Sequence, residues 1–214
     1  MLKAHWTVGY VWGRARREID RVLNPEAPWI PASARAWLER SLTGGERGIE
    51  WGSGRSTVWL AAQLASLISV EESRAWYERV GAMLASSGTR NVQLVLAPAK
   101  DVDGDDSSDE ARSRRQKYVV PDVGLEDGFL QLALVDGCLR AHCSLQATRL
   151  ISPGGLLLLD DSHRYLPGAS SLPGGCGARF PSKLWETFAK HVAGWEETHF
   201  TDGVGRLTVW RRPS

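Results

Sequence analysis

The stretch GIEWGSGRSTVWL, residues 48–60, carries the strongest fold signal in this chain of 214 residues. A short apolar segment around Ile49 ends at Glu50, Gly52 and Gly54 follow, and the next residues have the pattern of a helix. Glycine lets the backbone approach a ligand closely, and the first turn of a helix offers free N–H groups. The stretch therefore predicts a strand, a ligand-binding loop and a helix, although an ordinary turn between a strand and a helix is the alternative.

The pattern of strand followed by helix continues along the chain from residue 45 onward. The predicted strands after the first are SLISVE, VQLVLA, FLQLALVDG and LLLLDD, the last of them following a turn at SPGG, and two further strands lie in the tail WEETHFTDGVGRLTVWRR. Helical segments separate the earlier strands, and the tail has a glycine-containing turn. This order predicts an α/β fold with a mostly parallel sheet, helices on both faces and an antiparallel pair at its end.

The chain is predicted to be a single domain, 1–214, with a helical extension over residues 1–44. An amphipathic helix is predicted for residues 1–23. Residues 101–117, DVDGDDSSDEARSRRQK, have almost no apolar side chains to bury, which predicts a mobile surface loop. Residues 166–181, rich in glycine and proline, predict a second mobile loop. We expect both loops to lie over the acceptor site and to become ordered when ligand binds.

Composition narrows the classes of partner. The formal net charge is +1, so electrostatics give no reason to expect binding to nucleic acid or to a membrane surface. No segment approaches the roughly 20 apolar residues of a membrane span, and the first residues lack the apolar segment of a signal peptide. The three cysteines, at positions 138, 143 and 176, are odd in number and lack CxxC spacing, so we expect a cytoplasmic protein.

The end of the second predicted strand favours a nucleotide-like ligand. Glu71 ends the segment LISVE, 19 residues after Gly52, about where a carboxylate that binds ribose falls in nucleotide sites. A solvated acid at a strand end is the alternative. A dinucleotide site would have a third glycine, but Thr57 stands there, and Glu50 would repel a pyrophosphate. A cationic ligand with an ammonium and a sulfonium group suits Glu50 better.

The segments GIEWGSGRSTVWL, LISVEES, VQLVLAPAKD, LALVDG and SPGGLLLLDDS, within residues 46–162, resemble the ordered motifs of class I S-adenosylmethionine (SAM) methyltransferases. The resemblance implies a Rossmann-like, seven-stranded sheet with a reversed final strand. It also implies that Glu50 and the glycine loop lie along the methionine part of SAM, that Glu71 binds the ribose hydroxyls, and that residues 97–100 lie near the adenine. The residues expected to bind SAM are Glu50, Gly52, Ser53, Gly54, Ser56, Thr57, Glu71 and Ala99.

Three aspartates follow two other predicted strands. Asp136 ends LALVDG, and Asp160 and Asp161 end LLLLDD. Adjacent strand ends lie about 5 Å apart, so these carboxylates should repel one another unless a cation such as Mg²⁺ binds them. The catechol-type O-methyltransferases are similar in this respect, with an aspartate after one strand and an Asp-Asn pair after the next; here Asp161 replaces the asparagine. The alternatives are that Asp136 orients SAM and that Asp161 caps a turn.

The acceptor hydroxyl needs a group that takes its proton. His142 follows Asp136 by six residues, and His163 follows Asp161 by two, so either could serve. The lysine that catechol-type enzymes use three residues after the first aspartate is replaced by Leu139. The expected catalytic residues are therefore Asp136, His142 and His163. Trp76 could stack on the adenine, but its helical spacing with Val80 and Met83 favours packing in the core.

These observations together predict a SAM-dependent O-methyltransferase assisted by Mg²⁺, acting on a hydroxyl of a small molecule or an oligosaccharide. The chain is also similar to actinobacterial sugar O-methyltransferases, including those that act on mannosides. A nicotinamide (NAD)-dependent oxidoreductase and a non-catalytic SAM-binding protein are the alternatives. We further expect a homodimer formed through the N-terminal helical region.

Overall fold

A twisted sheet of seven strands forms the centre of the computed structural model, which describes residues 7–99, 108–168 and 172–214. The strands are Arg47–Trp51 (β1), Ser66–Glu71 (β2), Val92–Leu96 (β3), Leu130–Val135 (β4), Ile151–Leu159 (β5), Glu196–Thr201 (β6) and Arg206–Arg211 (β7). Their order across the sheet is β3-β2-β1-β4-β5-β7-β6. Only β7 runs antiparallel to its neighbours among these strands, so the predicted sheet with a reversed final strand is confirmed.

Helices cover the sheet. They are Val8–Leu23 (α1), Ala32–Ser41 (α2), Arg55–Ala61 (α3), Arg74–Ser86 (α4), Asp109–Val119 (α5), Arg140–Leu150 (α6) and Lys183–His191 (α7). Within the described part of the chain, no helix is long and apolar enough to cross a membrane. The segment SPGG, expected to be a turn, belongs to β5, where the pairing with β4 shifts register.

The four leucines of β5 show why the sheet is buried on both faces. Leu156 and Leu158 pack with α2 and α3, whereas Leu157 and Leu159 pack with α5, α6 and α7. Successive side chains of a strand point to opposite faces, so a strand covered on both sides is apolar throughout rather than alternating. All four leucines are nearly inaccessible to solvent.

The loop prediction for residues 101–117 is wrong in its second half, because α5 begins at Asp109. The Ser108 side chain accepts a hydrogen bond from the Ala111 backbone, and two acidic residues occupy the positively polarised first turn. Tyr118, completely buried, then attaches the end of the helix to the core. Residues 101–107 lie outside the described residues. Residues 172–181 contain no helix or strand, in agreement with a loop, and their mobility stays a prediction.

Candidate functional site

A cavity of about 690 Å³ opens at the carboxyl ends of β1, β2 and β4. This volume lies within the range of about 300–1,000 Å³ that is typical of small-molecule sites. The strand-end loops supply its inner wall, and α4 supplies part of its outer wall. The inner wall contains Gly52, Ser53, Gly54, Ser56, Glu71, Asp136 and Gly137. Of the eight residues predicted to bind SAM, five therefore line the cavity.

The floor of the cavity is formed by backbone. The loop after β1 and the loop after β4 touch, since Asp136 N and Gly137 N lie 2.9 Å and 2.6 Å from the Trp51 carbonyl oxygen and donate to it. Gly52 has φ +96°, and a Cβ atom there would lie 2.5 Å from Gly137 N. Only glycine satisfies both the backbone angle and this close approach. The glycine signal in the sequence therefore reflects a contact between two loops as well as access for a ligand.

Glu71 lies in the cavity wall at the end of β2. Its side chain accepts hydrogen bonds from Ser53 N at 3.0 Å and from Ser73 N at 2.8 Å, and the residue is 4% exposed. Burial raises the pKa of this carboxyl, whereas the two backbone donors oppose the rise. Glu71 thus fixes the glycine loop and presents a carboxylate to the cavity. Its assignment to ribose stays a prediction.

Glu50 lies behind the loop instead of in the cavity wall. Its Oε1 accepts hydrogen bonds from the Thr57 hydroxyl and from Ser69 Oγ, the latter at 2.7 Å, and the residue is completely buried. Burial raises the pKa of Glu50 to about 7. At neutral pH the side chain is therefore only partly ionised, which weakens the argument that its charge repels a pyrophosphate. Thr57 also accepts from Gly54 N at 2.9 Å, so it supports the loop from beneath.

Asp136 and Asp160 meet at the ends of β4 and β5, and Arg140 lies between the two strand ends. The Arg140 guanidinium donates to the Asp136 carboxylate at 2.9 Å and to the backbone carbonyls of Asp136, Gly137 and Asp160 at 2.6, 3.0 and 2.7 Å. Burial, reinforced by the neighbouring Asp136 and Asp161, raises the pKa of Asp160 well above its usual range. The raised pKa favours the protonated form of Asp160, whose side chain is hydrogen-bonded to that of Asp136. This hydrogen bond and the Arg140 guanidinium relieve the repulsion that the sequence predicts.

The predicted Mg²⁺ site does not fit this arrangement. Asp161 has a left-handed backbone, φ 52°, and its carboxylate lies 3.3 Å from Arg164 Nε. Within residues 7–99, 108–168 and 172–214, no group of three or more histidine, cysteine, aspartate or glutamate side chains is placed to hold a metal. Because Arg140 supplies the positive charge between β4 and β5, Asp136, Asp160 and Asp161 do not form the expected ligand set.

The two predicted histidine bases lie outside the cavity wall. His163 is 1% exposed, and its Nε2, 3.1 Å from the Pro173 carbonyl oxygen, must donate the proton of that bond. Burial lowers the pKa of His163, so this histidine is neutral near pH 7 and ties the loop at residues 172–177 to the strand end. His142 is half-buried on α6. Of the three predicted catalytic residues, only Asp136 lines the cavity.

The structure also brings residues to the cavity that the sequence did not predict. Trp76, expected in the core, is half-buried in the cavity wall, and its indole N–H donates to the Ser53 carbonyl. Arg79 and Met83 follow it along α4. The spacing of three and four residues signals one face of a helix, but it does not distinguish a face that packs on the sheet from one that borders a cavity. Ala99, predicted near the adenine, lies in the main core rather than in the cavity wall.

No protein-family model matches the sequence, and the search of curated proteins gives no match. Solved structures do match. A methyltransferase-like protein from Silicibacter pomeroyi DSS-3 is 23% identical, with a TM-score of 0.56 over 88% of this chain and 89% of that one. A SAM-dependent methyltransferase from Aquifex aeolicus is 11% identical, with a TM-score of 0.53 over 93% and 95%. An rRNA methylase from Streptococcus thermophilus is 12% identical, with a TM-score of 0.52 over 85% and 95%. The chain therefore has the Rossmann-like fold of methyltransferases, with β7 inserted antiparallel between β5 and β6.

Proposed function

We propose that this chain is a SAM-dependent methyltransferase that transfers a methyl group to a hydroxyl oxygen of a small molecule or a sugar. The observation that carries the proposal is the Glu71 carboxylate, which lines the cavity directly beside the glycine loop after β1. In open α/β sheets a ligand binds outside the carboxyl ends of the strands, where the strand order reverses. The cavity occupies that position, since β1 lies between β2 and β4.

The residues of the cavity suit the parts of SAM. Glu71 would accept hydrogen bonds from the ribose hydroxyls, and residues 52–54, which line the cavity, would lie along the methionine part. The Trp76 indole offers an apolar surface for the adenine, a role that the sequence assigned to the region of Ala99. SAM supplies an activated methyl group, so the protein has mainly to align the acceptor and to remove its proton.

Asp136 is the group that we assign to proton removal, because it is the one of the three predicted catalytic residues that lines the cavity, whereas the histidines expected to act as bases do not. Arg140 holds this carboxylate in place through a hydrogen bond of 2.9 Å and is itself fixed by three backbone carbonyls. Arg140 remains protonated at all relevant pH values and therefore acts by charge and position. The reaction assigned in this way uses the protein's own cation where the sequence predicted Mg²⁺.

Two alternatives make different use of the same cavity. An NAD-dependent oxidoreductase of the usual doubly wound type has parallel strands in the order 3-2-1-4-5-6. The antiparallel β7 next to β5 departs from that order, which disfavours this alternative. A non-catalytic SAM-binding protein would bind SAM yet release no S-adenosylhomocysteine with any acceptor.

The proposal is tested in two stages with the full chain. Calorimetric titrations with SAM, S-adenosylhomocysteine and NAD come first, and we expect the first two to bind and NAD not to bind. A screen with methyl-labelled SAM then offers vicinal diols, sugars including mannosides, catechols and a single-stranded RNA, each with and without EDTA. Binding of NAD alone would contradict the proposal, and methylation of RNA alone would replace the acceptor class.

A further inference from the structure

A second cavity, of about 330 Å³, lies beside the first and shares Trp29 and Ile30 with it. The C-terminal half of α1, the segment over residues 24–33 and the turn between β6 and β7 form its walls. Because it adjoins the proposed methyl-transfer cavity, a molecule bound in it would lie next to that cavity. The first cavity lies at the strand ends, whereas this one is bordered by a helix, a connecting segment and a turn.

The helix that forms one wall of this second cavity is docked closely on the sheet. Gly13 is buried, and a Cβ atom there would lie 2.3 Å from the Asp202 carbonyl oxygen. The helix backbone can approach the β6–β7 turn this closely only because Gly13 has no side chain. Arg17 adds an ion pair with Asp202 at 2.7 Å, with both side chains mostly buried. The wall is therefore part of the folded domain.

The charges in the second cavity leave an excess of guanidinium groups. Its two acids are already compensated: Asp202 pairs with Arg17, and Asp20 accepts two hydrogen bonds from Arg35 at 2.7 and 2.8 Å. Arg16 lines the cavity and, among the described residues, has no carboxylate within ion-pair distance. The cavity is thus positively charged although the whole chain is almost neutral.

Arg21 is the second guanidinium whose charge is not fully compensated. Among the residues that the structure describes, its one ion pair is with Glu18, and both side chains are substantially exposed, 38% and 55%, so the pair is weak. Its Nε has no hydrogen-bond acceptor among the residues that the structure describes. The hydrogen-bonding capacity of Arg21 is therefore not exhausted by the protein.

An aromatic ring stands at the boundary between the two cavities. Trp29 is 58% exposed, and the guanidinium carbons of Arg21 and Arg55 lie 5.2 and 5.7 Å from its ring centre. A large apolar side chain left this exposed, with two cations beside it, suits a ligand that combines a flat or sugar ring with negative charge.

We propose that the second cavity binds the methyl acceptor and that this acceptor is a small hydroxylated ring, a sugar or an arene, that carries a carboxylate or phosphate group. The ring lies on Trp29, the anionic group meets Arg16 and Arg21, and the hydroxyl extends into the first cavity. This inference rests on the proposed function, because it assigns the acceptor for the same reaction.

The test uses matched pairs of probes on the full chain saturated with S-adenosylhomocysteine. The pairs are glucuronate with glucose and 3,4-dihydroxybenzoate with catechol, and ligand-observed NMR titration gives each dissociation constant. We expect each acid to bind roughly tenfold or more tightly than its neutral counterpart, as charge-assisted hydrogen bonds imply. Arg21→Met should weaken binding of the acids by about tenfold and leave the neutral probes unchanged. Trp29→Ala should weaken binding of all four.

Arg14→Met is the matched control, since Arg14 lies on the same helix, is exposed and does not line the cavity. If Arg21→Met does not fold, the exposed Arg16→Met replaces it. Equal binding of the acids and the neutral probes, or equal effects of Arg14→Met and Arg21→Met, would overturn the inference. Tighter binding of a ten-nucleotide single-stranded RNA than of either acid would overturn it in favour of a polynucleotide. Calorimetry with SAM on the wild-type chain distinguishes failure of this inference from failure of the proposed function. A wild-type chain that does not bind SAM would contradict the methyltransferase function itself.

Discussion

The two neighbouring cavities differ in the parts of the chain that form their walls. The first, at the strand ends, owes its shape to backbone: the loops after β1 and β4 touch. Two buried acids support the loop after β1, since Glu71 accepts from Ser53 N and Glu50 accepts from the Thr57 hydroxyl. The second is formed by residues of α1 and of the segment 24–33, of which Arg16, Asn24, Trp29, Ala32 and Ser33 are exposed. Backbone contacts tolerate few substitutions, whereas exposed side chains change readily. We therefore expect exposed residues of the second cavity to tolerate substitution more readily than the loop contact in the first.

The largest effect is expected at Arg140, which links the ends of β4 and β5. Arg140→Met should lower the free energy of unfolding by about 3 kcal/mol, because the partly buried Asp136 carboxylate and three backbone carbonyls lose their donor. Arg149→Met on the same helix removes an exposed pair with Asp127 and should change it by less than about 0.5 kcal/mol. Denaturant titration measures both.

EDTA should change neither the free energy of unfolding nor the SAM affinity of the wild-type protein, because Arg140 supplies the charge between the strand ends. Loss of SAM binding or of turnover upon chelation, with recovery on adding Mg²⁺, would show that a metal holds the first cavity together after all.

Glu50, beneath the loop of the first cavity, is expected to make the free energy of unfolding depend on pH. Its folded-state pKa is about 7 against an ordinary value of 4.5, so the folded protein binds this proton more tightly than the unfolded chain does. The contribution to stability is therefore complete below about pH 4.5 and falls as the pH rises toward 7, by roughly 3 kcal/mol in total. Glu50→Gln should remove this part of the pH dependence.

Other acids whose pKa is raised in the folded protein contribute in the same direction. The relevant quantity is therefore the difference in free energy of unfolding between Glu50→Gln and wild type. Denaturation at pH 5 and pH 8 measures it. A difference that does not change between these two pH values would mean that Glu50 is not the group that titrates.

A smaller effect is expected from Glu71. Glu71→Ala should weaken SAM binding by about 1–3 kcal/mol, because its ribose partners would be left without an acceptor. Glu78→Ala, exposed on α4, is the control and should leave the affinity unchanged. Binding of glucuronate in the second cavity should be unaffected in both. Calorimetry that shows normal SAM affinity in a folded Glu71→Ala protein would remove Glu71 from the ribose site.

The smallest effect on the stability of one chain is expected on the outer face of α1. Val8, Trp12, Ile19 and Val22 are exposed there, and their spacing of four, seven and three residues matches the apolar positions of paired helices. We expect this face to contact a second copy of the chain, as predicted for the N-terminal region. Light scattering should give a dimer for wild type and a monomer for Ile19→Glu, with unfolding changed by less than about 0.5 kcal/mol. A monomeric wild-type protein would contradict the expectation.

Much of the fold was predictable from the sequence. Strand segments such as SLISVE and the position of Glu71 at a strand end depend on periodicity and on neighbours a few residues away. Gly52 likewise indicated a constraint on the backbone at that position. The sequence did not show that the constraint comes from the loop that carries Gly137. The loop prediction was wrong at α5 because the segment has few apolar residues among many charged ones. Those that anchor the helix are Ala111, Tyr118 and Val119.

The sequence predicted where the candidate site lies but only part of its chemistry. The sequence by itself determined that acids collect at the ends of β1, β2, β4 and β5, because parallel strands place their carboxyl ends at one edge. Only the tertiary structure decided that Glu50 turns inward, that the pKa of Asp160 is raised, and that Arg140 lies where a metal was expected. Those outcomes depend on burial and on charges brought together from distant segments, and neither is encoded in the spacing of residues along the chain.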